Sequence, residues 1–161
     1  MVDSLAIRIT PVNQAARPGF AFPYLVSYEN IGTTTLSSYI TFDYDEARLT
    51  YNSSSVPGVV DNTSVLSLNV GSLAPGEIGS FTGYFNLKTT AVIGDSLKAN
   101  ATMGAGSYEI ADNNTVAIRG SFDPNDKQAT RNYRHHRLPM ANILITLSVF
   151  KTPEQIQLSI L

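Results

Sequence analysis

Four groups of residues have the types and spacing to do chemistry. Asp123, Asn125 and Asp126 lie in the run Gly120-Ser121-Phe122-Asp123-Pro124-Asn125-Asp126-Lys127 and could offer oxygen ligands to Ca²⁺. The run lacks the Gly and the distal Glu of an EF-hand loop, so a Pro-containing linker with Asx turns is the competing reading. Asp43, Asp45 and Glu46 cluster at a strand end, where paired carboxylates can move protons or bind cations. No His stands near them in sequence, which favours a solvated hairpin turn. His135 and His136 are adjacent. Neighbours on an extended chain point to opposite sides, which suits shared metal ligation poorly. Tyr24, Tyr28, Tyr39, Tyr44, Tyr51 and Tyr84 could form a sugar- or protein-binding platform. Most of them fit better as half-buried strand residues. Tyr39 and Tyr84 are the exceptions, because each falls on the face opposite its strand's apolar row. No phosphate loop, nucleophile elbow or zinc spacing is visible, so a non-enzyme is expected.

The elements that must position these residues are strands. Leu5, Ile7 and Ile9 alternate with Ala6, Arg8 and Thr10, and Pro11 marks an edge strand. Tyr24, Val26 and Tyr28 alternate next, and Asn30-Ile31-Gly32 closes that strand, with Gly32 free to take positive φ. Ile40, Phe42 and Tyr44 share a face of the strand from Tyr39 to Tyr44. A loop rich in Asn and Ser runs through Pro57-Gly58, and Leu66, Leu68 and Val70 then point inward. Ala74-Pro75-Gly76-Glu77 is a turn. Phe81, Gly83 and Phe85 alternate against Thr82, Tyr84 and Asn86. Ile93-Gly94-Asp95 turns again before Leu97, Ala99, Ala101 and Met103. Asp112-Asn113-Asn114 leads into a last strand, Thr115 to Arg119, with Val116 and Ile118 inward. Seven or eight short strands, with turn signals about every 8–15 residues, predict an all-β, immunoglobulin-like antiparallel β-sandwich over residues 1–122.

Bulk composition narrows the partners. Hydrophobic residues make up 43% of the 161, enough for one core, and charged residues only 15%, with a net charge of −2. A nucleic-acid partner would want a basic face, so none is expected. The chain has no Cys, hence no disulfide or thiol chemistry, and no Trp for sugar stacking. No apolar run reaches the ~18 residues of a membrane span. Met1-Val2-Asp3-Ser4 has neither a basic nor an apolar signal region, so an exported module is expected to be an internal piece of a longer chain.

The run Tyr24-Leu25-Val26-Ser27-Tyr28-Glu29-Asn30-Ile31-Gly32-Thr33-Thr34-Thr35 resembles the second-strand signature of conserved-repeat domains in large bacterial surface proteins. Leu73-Ala74-Pro75-Gly76-Glu77 resembles their mid-domain turn, and Asp112-Asn113-Asn114-Thr115 their last-strand start. Gly120 to Lys127 is similar to the junction before a further repeat in cargo of type IX secretion. The resemblance covers roughly residues 4–130. It implies a non-catalytic structural or adhesive module, extracellular or at the cell surface, whose partners are neighbouring domains and a surface glycan or protein. It brings no catalytic residue and no cofactor. An accessory carbohydrate- or protein-binding module of a larger exported enzyme is the alternative.

After Thr130 the strand pattern stops. Residues 123–139 read as linker and 140–161 as an apolar tail. Back-translated and read one nucleotide earlier, codons for Met140 to Leu161 permit NGKYIDYIIRFQNTGTDTAFNI. Its segment YIIRFQNTGTDTA aligns with the chain's own YLVSYENIGTTTL, Tyr24 to Leu36. The expectation is an out-of-frame start of a second, similar domain. Asn52, Asn62, Asn100 and Asn113 head N-glycosylation triplets, and Asp3-Ser4-Leu5 and Asp95-Ser96-Leu97 resemble bacterial O-glycosylation sites.

Overall fold

The computed structural model describes residues 2–120. The linker 123–139, the tail 140–161, and with them Asp123, Asn125, Asp126, His135 and His136, lie outside the described residues. Nine strands follow in order: β1 (Leu5–Pro11), β2 (Tyr24–Asn30), β3 (Leu36–Tyr44), β4 (Leu49–Ser54), β5 (Val60–Asp61), β6 (Val65–Leu73), β7 (Ile78–Leu87), β8 (Ser96–Ala105) and β9 (Tyr108–Ala117). They form two antiparallel sheets, β1-β2-β7-β4 and β5-β6-β3-β8-β9, an all-β sandwich of immunoglobulin-like layout. The ninth strand is β5, whose two residues are too few to show an alternation.

Alternation places the core where the residue types predict. Ile40, Phe42 and Tyr44 of β3 and Leu97, Ala99, Ala101 and Met103 of β8 are buried, facing Tyr24, Val26, Phe81, Phe85 and Leu87 of the other sheet. Aromatic rings join the layers. Tyr24 of β2 lies 5.5 Å from Phe42 of β3, and Tyr44 of β3 lies 4.9 Å from Phe85 of β7. Such pairs add about 0.5–1.5 kcal/mol each to the area they bury. Gly83 makes room for them, since a Cβ there would press on the Phe85 ring.

The structure departs from the sequence reading at four places. Asp45-Glu46-Ala47 is no hairpin: β3 and β4 belong to different sheets, so this turn carries the chain across the sandwich. Asp112-Asn113-Asn114 lies inside β9, paired with Ala101, Asn100 and Ala99 of β8, rather than in front of a strand. Val70 is only partly buried, because the β3–β6 register slips there: Ser38 pairs Gly71 while Tyr39 pairs Asn69. Gly32 does not use positive φ. Its missing Cβ makes room for the backbone of the N-terminal segment, 2.5 Å from Val2 O and 2.7 Å from Ser4 N.

Two features of the frame bear on function. First, the edge strands β1 and β9 close one side of the sandwich, where the Ile9 N–H donates to Asp112 Oδ2 at 2.9 Å and Ala16 bridges Ile118 in parallel. Capping an edge in this way blunts its tendency to recruit other strands. Second, the chain comes in and goes out at opposite poles. Leu5 pairs Asn30 at the leading pole, near the start of β3, while Ala117 pairs Ser96 at the trailing pole, near the end of β3.

Candidate functional site

Tyr39 stands on the outer face of the five-stranded sheet, 44% exposed, and its ring lies across its register partner Gly104, where any Cβ would collide with it. Tyr28 covers Gly79 in the other sheet in the same way. A ring laid over a glycine buries one face and holds the tyrosine in place. Beside Tyr39 opens a cleft of about 410 Å³ bordered by Ser37, Thr41, Val60, Ser67 and Asn69. Tyr84 is 43% exposed, but it belongs to β7 in the four-stranded sheet. The two tyrosines therefore sit on opposite outer faces, and the structure does not bring them together. Of the other tyrosines, Tyr24 and Tyr44 are buried and Tyr28 and Tyr51 partly so. Burial pushes the Tyr24 hydroxyl far above its ordinary pKa, with a smaller push from Asp45, and that hydroxyl has no hydrogen-bond partner.

The carboxylates near residue 45 are tied into the fold. Arg48 Nη1 donates to Asp45 Oδ2 at 2.6 Å, and its Nη2 to Asp95 Oδ2 at 2.7 Å. These two bonds, Asp95 first, raise the Arg48 pKa. Asp95 comes from the β7–β8 turn, 47 residues away, and nothing local in the sequence pairs it with Arg48. Asp43 Oδ2 accepts from Asn100 Nδ2 at 3.3 Å. These residues border a groove of about 920 Å³ on the trailing side of the five-stranded sheet. Glu46 is exposed on the same turn. Among the described residues no three or more His, Cys, Asp or Glu side chains are grouped to hold a metal ion. Tyr44 donates to Asp61 Oδ1 at 3.1 Å, and its pKa is pushed up to about 12, first by burial and then by Asp61.

The residues quoted for the surface-protein signature have a structural task that the sequence did not reveal. Asn30 is fully buried, and its Nδ2 donates to Thr34 O and Leu73 O, both at 2.8 Å. Its Oδ1 accepts from the Gly32 N–H at 3.0 Å. Its backbone pairs with Glu77 O and the Gly76 N–H. One amide thus joins the ends of β2 and β6, which lie in different sheets. Gly76, with φ of 75°, supplies the left-handed residue of that turn. Of the glycosylation triplets, Asn52, Asn62, Asn113 and Ser96 are exposed, while Asn100 and Ser4 are half-buried.

Solved structures of the same layout exist. The chain is similar to a cohesin module from a family 33 glycoside hydrolase of Clostridium perfringens, at TM-score 0.52 and 15% identity over 74% of this chain and 99% of that one. A CARDB domain of the PF1109 protein from Pyrococcus furiosus, described in complex with di-metal ions, matches at 0.48 and 16%, over 72% and 88% of the two chains. CaCohA2 from Clostridium acetobutylicum matches at 0.47 and 11%, over 70% and 90%. At 15% identity the likeness to the cohesin module shows the fold alone. No protein-family model matches the chain. No curated protein matches it either.

Proposed function

We propose that this chain is a non-catalytic module of a bacterial secreted or cell-surface protein that spaces and presents neighbouring domains. The observation that carries the reading is the placement of its ends. Residues at the leading pole begin the domain and residues at the trailing pole leave it, so flanking domains are held apart by the length of the sandwich. Ten residues of β9 rise about 33 Å. Domains commonly have neighbouring termini, and a polar arrangement is what a spacer needs. Two carboxylates support the same reading, since they serve as staples between distant segments: Asp112 to the Ile9 N–H and Asp95 to Arg48. The extracellular setting rests on the resemblance of the Asn30-Ile31-Gly32 region to bacterial surface repeats.

The reading is tested on the full chain, whose lack of cysteine makes labelling clean. Spin labels at Val2→Cys and Ala117→Cys are expected to lie about 30 Å apart or more. A separation below about 20 Å would put both ends at one pole and remove the spacer. Antibody labelling of intact producing cells tests the location, and a signal confined to lysed cells overturns it.

A binding role at Tyr39 is the second reading, favoured by the exposed ring and the hydroxyl- and amide-lined cleft beside it. On a glycan or protein array, Tyr39→Ala is expected to lose binding that Tyr84→Ala keeps. Equal behaviour of the two variants counts against it.

A further inference from the structure

No charged side chain borders the cleft beside Tyr39. The groove at Arg48 and the clefts at Arg17 and at Arg8 all include ionic residues. The lining comes from the outward rows of β3, β5 and β6. Register sets Asn69 beside Tyr39, Ser67 beside Thr41, and Val60 beside Ser67. Val60 is 53% exposed and Tyr39 44%, so two apolar posts flank a floor of hydroxyls and one amide. The polar groups are already oriented. Asn69 Oδ1 accepts from the Gly71 N–H at 3.0 Å, which leaves its Nδ2 to donate elsewhere. Ser67 Oγ accepts from Asn62 Nδ2 at 2.9 Å, which leaves its own hydrogen to donate. The register slip between β3 and β6 sets Asn69, rather than Val70, opposite the tyrosine, as bulges commonly re-aim side chains. The Tyr39 ring is held too, with one face on Gly104. The charges of the surroundings lie off the cleft. Glu109 is across Gly104 on β9, Asp43 is two residues along β3 and bonded to Asn100, and Lys98 lies beyond Asn100 on β8. Asp61, next to Val60, accepts from the Tyr44 hydroxyl and from the Thr63 N–H.

We propose that this cleft binds a neutral glycan, with one sugar ring stacked on the exposed side of Tyr39 and its hydroxyls bonded to Asn69, Ser67 and Thr41. The inference deepens the Tyr39 reading given above and rests on it. The class of ligand follows from the lining. An uncharged polyol is matched by neutral donors and acceptors, and the C–H face of its ring by an aromatic plane. A phosphorylated or sulfated ligand would find no cation in the cleft, and a basic one no carboxylate. A ring laid on glycine and an amide fixed by a backbone N–H also lose little freedom when a ligand arrives.

The site is small. Its volume of about 410 Å³ lies at the low end for ligand sites, roughly 300–1,000 Å³. One face of a sugar is covered and the other is left to water, so Kd is expected on the order of 1 mM for a single ring. Met by a polymer, or repeated along a chain of modules, contacts of this strength add through effective concentration.

The test is an NMR titration of the isotope-labelled full chain with neutral hexasaccharides of glucose, mannose and xylose, each to about 10 mM, and with hexagalacturonate as the charged control. Saturable shifts are expected at the amides of Tyr39, Thr41, Ser67 and Asn69 with at least one neutral sugar, and none with the control. Tyr39→Ala is expected to weaken binding at least about tenfold. Tyr39→Phe keeps the ring and is expected to stay within about threefold of the native chain. Asn69→Asp keeps the acceptor for the Gly71 N–H but removes the donor, and is expected to cost about fivefold. Tyr84→Ala, on the other sheet, is expected to bind as the native chain does. Amide shifts away from the cleft report that each variant is folded. The absence of saturable shifts with all three neutral sugars overturns the inference. So does binding that Tyr39→Ala retains, or hexagalacturonate binding as tightly as the neutral sugars. Tyr39-dependent capture of a protein on the array, with no glycan bound, keeps the Tyr39 reading and removes the glycan alone; loss of both removes both.

Discussion

The two poles of the sandwich are held by opposite kinds of chemistry. At the leading pole a neutral amide, Asn30, is fully buried and bonded on both its nitrogen and its oxygen. At the trailing pole a guanidinium, Arg48, spans two carboxylates while its side chain stays 34% exposed and that of Asp95 42%. The geometry is comparable, since each group ties segments distant in sequence. The energetics are not. A buried amide has no water to replace its partners, so losing it orphans carbonyls that cannot be solvated. Ions half in water exchange one set of favourable contacts for another, and salt screens what is left. A bond's worth here follows from what its groups would touch if it were absent.

The comparison is broken most strongly at Asn30. Asn30→Ala strands Thr34 O, Leu73 O and the Gly32 N–H, and is expected to cost about 3–4 kcal/mol, lowering Tm by roughly 10–20 °C. Urea denaturation checks it, and the loss is expected to be the same at low and high salt. A loss under about 1 kcal/mol would show that water reaches this pole.

Gly32→Ala comes next. Its Cβ would stand 2.5 Å from Val2 O and 2.7 Å from Ser4 N, so the N-terminal segment must shift, at about 2–3 kcal/mol. Gly58→Ala is the control: its surroundings are open, and only its positive φ of 82° is strained, at about 1 kcal/mol. Equal losses would mean that the close approach at Gly32 is easily relieved.

Alkaline pH separates the poles at the level of Tyr44. Its pKa is raised from 10.0 to about 12, by burial first and by Asp61 second. The neutral phenol is the form that the folded state favours. Its stabilisation is therefore complete below pH 10 and is lost as pH rises through about 12. Tyr44→Phe is expected to flatten the fall in stability between those values, read by chemical denaturation at each pH. Tyr24 and Tyr28, also raised by burial, leave a residual slope.

Arg48→Met is expected to have the smallest effect of the four. Its thermal shift should shrink further in 1 M NaCl, where the Debye length falls to about 3 Å. A large, salt-independent loss would make the trailing pole behave like the leading one and erase the contrast.

Much of this was legible in the chain, for reasons that differ by residue. The period-2 rows of β2, β3, β7 and β8 are local: a strand with one dry face must alternate, whatever it packs on. Turn chemistry was legible at Gly76 and Gly94, where φ of 75° and 97° suits glycine alone. At Gly32 the residue was read correctly as special but for the wrong reason, because a close approach by another segment leaves no trace in the local sequence. Asp112-Asn113-Asn114 has the composition of a turn, yet it pairs with β8 and Asp112 caps β1. There, long-range hydrogen bonds override a local preference. Asp43, Asp45 and Glu46 were legible as a cluster, but Asp95, the second anchor of Arg48, was not.

By itself the sequence determined the strand faces, the low overall charge and the all-β class. Each is a property of neighbours one to four residues apart or of composition as a whole. Tertiary structure alone decided that the exposed rings of Tyr39 and Tyr84 stand on opposite faces, that Asn30 joins two sheets, and that Asp95 reaches Arg48 across 47 residues. These depend on which strand enters which sheet, and that choice is made by the packing of the whole core.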